Sequence, residues 1–135
     1  MGKARARSTT AAGLTLDAGA LIALDRGNRR MTALLDEALK RGLTFRVPAG
    51  VVGQVWRDGS RQVNLARFLA AEEVRIVPLD EHLSRACGEL CGQSRTADVI
   101  DASVVIVARE RSDVIVTGDA DDLRRLDPLC ALVEV

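Results

Sequence analysis

The hydrophobic residues of this chain form short, uninterrupted runs separated by longer stretches with helical spacing. Four runs occupy residues 13–16, 44–47, 74–77 and 114–117, and a weaker run closes the chain at 131–135. Asp, Pro or Gly follows each of the first four runs. Such bounded runs are typical of buried strands, because a helix generally needs about ten residues or more. The pattern therefore predicts four strands and a weak fifth.

Between these runs, apolar residues recur at every third or fourth position, which places them on one face of a helix. Met31, Leu35 and Ala38 are an example, and so are Leu83 and Cys87. Strands that alternate with helices pair in parallel. The sequence therefore predicts an α/β three-layer sandwich with a central, mostly parallel sheet of four or five strands and helices on both faces. The predicted helices span residues 18–24, 28–41, 49–57, 61–70, 80–92, 98–109 and 120–126.

Length and composition indicate one domain with an aliphatic core. The chain has 135 residues, of which 47% are hydrophobic but only 2% aromatic. We expect a single domain over residues 13–135, preceded by a disordered basic N-terminus at 1–12. Trp56 and the two Phe residues are expected in the core or in an interface. No apolar stretch approaches the roughly 20 residues that span a bilayer, which predicts a soluble cytoplasmic protein.

Charge and cysteine content exclude several classes of protein. The 19 basic residues balance the 19 acidic ones, so the net charge does not indicate a nucleic-acid-binding protein. Seventeen of the basic residues are Arg, the side chain best suited to paired contacts with phosphate. The scarcity of aromatic residues disfavours recognition of single strands by base stacking. The chain has three cysteines, an odd number, and they lack a paired C-x-x-C spacing, which argues against a disulfide framework.

Four aspartates carry the candidate chemistry. Asp17 follows the first predicted strand, Asp119 follows the fourth, and Asp98 and Asp101 open an apolar helix. Parallel strands deliver their carboxyl ends to one edge of a sheet, where open α/β sheets bind ligands. Clustered carboxylates must take up protons or a cation, and oxygen ligands favour Mg²⁺ or Mn²⁺. Each acid that precedes a helix also has a structural interpretation, because Asp caps free backbone N–H groups.

The ordered motifs of the chain resemble those of the PIN domain, the metal-dependent ribonuclease fold that includes the VapC toxins of bacterial toxin–antitoxin pairs. The matching segments are LDAGALIAL at 16–24, VPAGVV at 47–52, TADVIDA at 96–102 and VTGDADDL at 116–123. They occur in the order and at the spacing of the family across nearly the whole chain. The resemblance implies a PIN-like fold and hydrolysis of RNA phosphodiesters with Mg²⁺ or Mn²⁺.

The resemblance also assigns site residues. It implies that Asp17, Asp101 and Asp119 hold the metal and act in catalysis, with Asp98 as a further catalytic acid one helical turn before Asp101. Asp122 is an accessory candidate, although the sequence favours first-turn capping as its role. Two hydroxyl side chains complete the set of accessory candidates. They are Ser103 and Thr117, which could orient water or phosphate or could simply be packed.

The chain departs from the family at two places in the site. Many members follow the first Asp with Ser or Thr and then Ser or Asn, whereas this chain has Ala18 and Gly19. Most members also place a Glu where this chain has Gln54. A Gln oxygen can coordinate a cation or hold water, but a less anionic set of ligands binds divalent ions more weakly.

Three functional interpretations follow. The leading one is a VapC-like endoribonuclease, for which the resemblance implies an RNA substrate, a VapB-like antitoxin and a homodimer. The alternative is a catalytically weak or inactive PIN-like domain that binds RNA or protein, and Gln54 favours it. A phosphotransfer domain is disfavoured, because a receiver needs a late Lys and the only lysines are Lys3 and Lys40. A haloacid-dehalogenase-type phosphatase needs a second Asp where Gly19 stands.

Overall fold

The structure, a computed structural model, describes residues 13–135, so the predicted basic N-terminus at 1–12 lies outside the described residues. The strands are β1 (Leu14–Leu16), β2 (Phe45–Pro48), β3 (Val74–Val77), β4 (Val114–Thr117) and β5 (Leu132–Glu134). The helices are α1 (Ala18–Asp25), α2 (Arg29–Lys40), α3 (Ala49–Val55), α4 (Val63–Leu69), α5 (Glu81–Ser94), α6 (Val99–Arg111) and α7 (Ala120–Leu126).

The strands form one sheet in the order β3-β2-β1-β4-β5, and every neighbouring pair is parallel. In the centre, Leu14 of β1 is in register with Phe45 of β2 and with Val114 of β4. The chain runs from β1 outward to β3 and then returns past β1 to β4 and β5. The direction of winding therefore reverses between β1 and β4, which is the position where open parallel sheets bind ligands.

The helices cover both faces of the sheet, as the alternation of elements predicts. Right-handed crossovers place α1–α4 on one face and α5–α7 on the other. α6 packs against β1, β2 and β4, and α5 and α7 flank it. Every residue from Ala102 to Ala108 is buried. A helix with no polar face over two turns has to be enclosed, and α6 is therefore the central helix of its layer. The predicted three-layer fold is confirmed.

The core is aliphatic, with one aromatic contact. Phe45 is almost fully buried and meets Phe68 edge to face, with ring centroids 5.4 Å apart. Each large apolar side chain that is buried stabilises the fold by about 1.5–3 kcal/mol. Trp56 is 40% exposed and lies at the surface, so it is not a core residue, and the prediction of an interface position stays a prediction. Leu39 belongs by its spacing to the apolar face of α2, but it is 46% exposed.

Three helices end two residues away from their predicted ends, and one of them, α6, stops at Arg111 rather than at residue 109. α3 stops at Val55 rather than at residue 57, because Trp56 adopts an extended backbone. α5 continues past Gly92 to Ser94 and ends where Arg95 adopts the left-handed conformation, φ 58°. Glycine is tolerated inside a helix at a modest cost, so Gly92 was a poor stop signal. The sequence offers no glycine or asparagine at the true end.

A buried charged network lies at the amino-terminal ends of the strands. The carboxyl-terminal ends, which carry Asp17 and Asp119, are on the opposite side of the sheet. The side chain of Asp113 is fully buried and forms an ion pair with Arg46 at 2.8 Å. Its Oδ1 also accepts the backbone N–H of Gly13 at 2.8 Å, and its Oδ2 accepts the hydroxyl of Thr15 at 2.8 Å. These bonds tie β1, β2 and the start of β4 together. Nothing in the sequence analysis singled out this network.

The cysteines and the helices agree with two further expectations. All three cysteines are free, and Cys87 and Cys91 are buried on α5. Burial, followed by the charges of Cys91 and Glu110, raises the pKa of Cys87 to about 11. The thiol therefore stays protonated at neutral pH and acts as a packed apolar group. No helix within residues 13–135 is long and apolar enough to cross a membrane.

Candidate active site

Asp17 is held rigidly at the carboxyl end of β1. It caps α1, where its Oδ1 accepts the backbone N–H of Ala20 at 2.9 Å and that of Gly118 at 3.2 Å. Its Oδ2 accepts the hydroxyl of Thr117, a residue that is fully buried. Only 6% of Asp17 is exposed. Three hydrogen-bond donors, one on α1 and two at the end of β4, thus fix the direction of this carboxylate.

The other three predicted acids also cap or open helices. Asp98 caps α6, and its Oδ1 accepts the N–H of Asp101 at 2.9 Å. Asp119 caps α7, and its Oδ1 accepts the N–H of Asp122 at 3.4 Å. Asp101 lies in the first turn of α6. Capping and site formation are therefore not alternatives in this fold, because the same side chains do both.

These acids line one open cavity of about 440 Å³ at the point where the winding of the sheet reverses. Asp122 and Gln54 share it, although the sequence left the place of both open. One basic residue, Arg57, which the sequence analysis did not single out, also lines it. The lining consists of Asp17, Ala18, Gly19, Gln54, Arg57, Asp98, Asp101, Gly118, Asp119 and Asp122.

The electrostatics of the cavity are those of crowded carboxylates. Burial raises the pKa of Asp101 from 3.8 to about 6, and the charges of Asp98, Asp122, Asp17 and Asp119 add to the shift. The pKa of Asp122 is also raised, first by its side-chain hydrogen bond with Asp119 and then by the charge of that residue. Repulsion between neighbouring carboxylates contributes to both shifts, because like charges disfavour each other's ionisation. A bound cation would relieve this repulsion.

The two predicted hydroxyl residues lie at different places. Thr117 does not line the cavity, but its hydroxyl binds Asp17 and accepts the backbone N–H of Asp119 at 2.8 Å. It therefore connects two of the acids. Ser103 is buried in α6 and donates to the carbonyl of Ile100 at 2.6 Å. This contact within its own helix agrees with the second of the two interpretations left open for Ser103, a packed hydroxyl.

Gly19 and Gly118 bring the start of α1 against the end of β4. A Cβ added to Gly19 would lie 2.7 Å from the Cα of Gly118, and one added to Gly118 would lie 2.8 Å from the Cα of Gly19. Both contacts are with backbone, so a side chain at either position would force the two segments apart. The glycine at position 19, which departs from the family pattern, is thus required by the packing of this chain.

The donor set fits a hard divalent cation in its chemistry. Carboxylate and amide oxygens surround the cavity, and such ligands favour Mg²⁺ or Mn²⁺ over softer metals. Within the described part of the chain, no three His, Cys, Asp or Glu side chains converge into a preformed cage. Asp119 is exposed and caps α7 through a hydrogen bond from the N–H of Asp122 at 3.4 Å, whereas Asp17 is buried and its carboxylate is already fixed.

A second cavity of about 420 Å³ has a different character. It lies between α2, α4 and the β2–β3 side of the sheet and is mainly apolar, with Leu35, Leu39 and Phe68 in its wall. None of the four predicted catalytic acids lines it. The four candidate acids therefore lie in the polar cavity at the carboxyl ends of β1 and β4, and not in this apolar one.

Five parallel strands in this order form an α/β sandwich with a cluster of acids at the reversal of winding. No protein-family model matches the sequence, and no curated protein gives a significant match. Several solved structures, in contrast, match this chain in fold. The fold is similar to that of VapBC2 from Rickettsia felis bound to a DNA fragment from its promoter, with a TM-score of 0.67, 16% identity, and 90% of this chain and 97% of that chain covered.

Two further structures share the fold. FitAcB from Neisseria gonorrhoeae has a TM-score of 0.63 and 18% identity, over 88% of this chain and 95% of that chain. VapC20 from Mycobacterium tuberculosis, described as a toxin that cleaves the sarcin–ricin loop, has a TM-score of 0.59 and 18% identity over 76% of this chain and 87% of that chain. At such identities the likeness shows the fold, and it confirms the PIN-like architecture that the motifs indicate.

Proposed function

We propose that this protein is a metal-dependent endoribonuclease of the VapC type. The observation that carries the proposal is the meeting of Asp17, Asp98, Asp101 and Asp119 in one cavity at the reversal point of the sheet. The sequence separates these residues by up to about a hundred positions, and the fold brings them together. The similarity to VapC20, whose description names RNA cleavage, supports the same class of activity.

In this proposal Asp17, Asp101 and Asp119 hold Mg²⁺ or Mn²⁺, which activates water at neutral pH and neutralises charge on the phosphate. Asp17 provides the fixed ligand, because three hydrogen bonds already orient its carboxylate. Asp101 must lose its proton to bind a cation, and its pKa of about 6 leaves it mostly ionised at neutral pH. Asp98 and Asp122 add negative charge at the rim, and Gln54 contributes a neutral oxygen.

The test is cleavage of a labelled, structured RNA in Mg²⁺, in Mn²⁺ and in EDTA. We expect cleavage only with metal, and a loss of at least about 100-fold in Asp17→Asn and Asp101→Asn, which corresponds to roughly 2.7 kcal/mol of transition-state stabilisation. Asp121→Asn is the matched control, because Asp121 lies in the same α7 turn as Asp122 but outside the cavity. Equal cleavage by all four proteins would refute the proposed site.

A second candidate function is a PIN-like domain that binds RNA or protein without cutting. Gln54 favours it, because the cavity has an amide where the family pattern has an acid. Gln54→Glu separates the two. If the protein is a nuclease, wild type cleaves and the Glu variant binds Mn²⁺ about tenfold more tightly, because a fourth charged ligand joins the three aspartates. If wild type is inactive and Gln54→Glu gains cleavage, the non-catalytic function is correct.

We further propose a VapB-like antitoxin as partner, a homodimer as the working assembly, and action in the cytoplasm, where RNA is available. The descriptions of FitAcB and VapBC2 name toxin–antitoxin pairs and support the first of these. Light scattering of the purified protein, alone and co-expressed with the short reading frame next to its gene, measures both assemblies. A monomer at all concentrations that gains no mass on co-expression would contradict them.

A further inference from the structure

Arg57 is the one basic residue in a cavity that five aspartates line. It lies just after α3, on the side of the cavity formed by Gln54. We propose that the Arg57 guanidinium binds a backbone phosphate of the RNA substrate beside the acidic site, an inference that rests on the proposed nuclease function. Its basis is the way in which the guanidinium is held, the loop that supports it and the charge that surrounds it.

The guanidinium is oriented by backbone rather than by acids. Its Nη1 donates to the carbonyl of Trp56 at 2.7 Å and to that of Gly53 at 3.1 Å. Both carbonyls belong to the end of α3, where helix carbonyls lack intrahelical partners. Within residues 13–135, no carboxylate lies within ion-pair distance of Arg57. The other N–H groups of the fork therefore remain available to an anion.

The loop that carries Arg57 is built to hold its position. Gln62 closes it with three hydrogen bonds: its Oε1 accepts the N–H of Arg57 at 2.8 Å and that of Asp58 at 3.0 Å, and its Nε2 donates to the carbonyl of Val55 at 2.8 Å. The ring of Trp56 packs on Gly59, where an added Cβ would lie 2.7 Å from the ring. These contacts fix the backbone on both sides of Arg57.

The negative charge around Arg57 supports a role for this residue in the approach of RNA. An RNA phosphate that approaches five aspartates is repelled until a cation screens them, and a fixed guanidinium at the rim lowers that barrier. Arg pairs with phosphate through two parallel N–H bonds, which fixes orientation as well as affinity. A purely structural Arg57 would cap the carbonyls of α3 and add stability, but it would not change how RNA affinity depends on salt.

Arg61 provides a matched control on the same loop. It is an exposed Arg that faces Asp58 at 3.8 Å and does not line the cavity. Arg57→Ala, Arg57→Lys and Arg61→Ala are compared with wild type. RNA affinity is measured in EDTA across a salt series, cleavage is measured as KM and kcat in Mn²⁺, and the melting temperature is measured for each variant.

We expect Arg57→Ala to weaken RNA binding about five- to tenfold and to raise KM more than it lowers kcat. The slope of log affinity against log salt should fall by about 0.7, the value for one contact with single-stranded nucleic acid. Arg57→Lys should keep the slope but lose part of the affinity, because it keeps the charge without the fork. Arg61→Ala should match wild type.

Failure of this inference is distinguishable from failure of the nuclease proposal. If wild type cleaves and Arg57→Ala matches it in affinity, salt slope and KM, the phosphate contact is wrong and the nuclease stands. A fall in melting temperature alone would assign Arg57 a capping role and overturn the inference. If wild type does not cleave but its RNA affinity depends on Arg57 as expected, the contact is supported and the nuclease is refuted.

Discussion

At the scale of single residues, the ionised form of Asp101 is the one that the proposed function requires, but it lowers the stability of the fold. Its folded-state pKa of about 6 lies above the ordinary value of 3.8, because burial and four neighbouring aspartates disfavour its charge. Between those pH values the folded protein binds more protons than the unfolded chain. Stability from this group is therefore lost as pH rises from about 3.8 through 6. At neutral pH the ionised side chain opposes folding.

Asp101→Asn should accordingly stabilise the metal-free protein at pH 7.5. We expect a gain of about 1 kcal/mol in the free energy of unfolding, since removal of the repulsion outweighs the loss of a charge at the helix start. The gain should shrink at pH 5.0, where wild-type Asp101 is largely protonated. Urea unfolding in EDTA measures both. Asp121→Asn is the control, and it should lose a few tenths of a kcal/mol at either pH.

The result would contradict this account if Asp101→Asn were less stable than wild type at pH 7.5. It would also fail if the gain were the same at both pH values, because then charge could not be its cause. Addition of Mn²⁺ should reverse the order of the two proteins if the proposed cation binds, since wild type alone would keep its full set of ligands.

At the scale of elements, the site depends on the contact between the start of α1 and the end of β4. Gly19 and Gly118 touch backbone to backbone, and the N–H of Gly118 binds Asp17. Neither glycine has an unusual φ, so the requirement is one of space alone. Because α1 begins at Asp17 and α7 at Asp119, this contact sets the separation of two of the acids.

Gly19→Ala should therefore destabilise the protein by about 1–3 kcal/mol, since the added methyl group meets backbone that cannot rotate away. Gly88→Ala on α5 is the matched control, because nothing lies within 4 Å of a Cβ there. It should stabilise by roughly 0.5–1 kcal/mol through helix propensity. Urea unfolding compares the two. Equal effects of both substitutions would mean that the contact at Gly19 does not constrain the fold.

The sequence predicted the elements better than it predicted their ends and contacts. The apolar runs of β1 and β4 are strands, because strands buried at the centre of a parallel sheet are mostly apolar. The true end of α5 was missed because Arg95 carries no turn signal, and the end of α3 because the side chain of Gln62 builds the following loop. The acids of the site were found because strand-end position and family motif coincide. Arg57 was not, although it follows Gln54 by three residues.

At the scale of the whole molecule, charged residues lie at both ends of the strands of the sheet, but in different environments. The carboxyl ends of the strands hold five aspartates in a cavity, and within residues 13–135 only Asp122 of these has an ion-pair partner, Arg125 at 3.4 Å. The amino ends hold Asp113, which is saturated by hydrogen bonds and paired with Arg46. The side chain of Arg46 is only 16% exposed. Breaking such a pair leaves a buried charge without a partner, so the amino ends contribute stability rather than chemistry.

Asp113→Asn should cost about 3–5 kcal/mol of stability and leave Mn²⁺ affinity unchanged below the melting temperature. The double variant Asp113→Asn with Arg46→Met should recover part of the loss, because the stranded charge is removed. Chemical unfolding and Mn²⁺ titration measure the two properties separately. A change in Mn²⁺ affinity in folded Asp113→Asn would show that the two sets of strand ends are coupled.

The capping bonds of Asp17, Asp98 and Asp119 have an evolutionary consequence. Each acid fastens the first turn of a helix, so most replacements would loosen α1, α6 or α7 while also removing a carboxylate. Asparagine caps a helix about as well as aspartate does but carries no charge. Related proteins that have lost the proposed cation site but keep the fold should therefore carry Asn at these three positions. Asn at all three would identify a relative without the proposed nuclease activity.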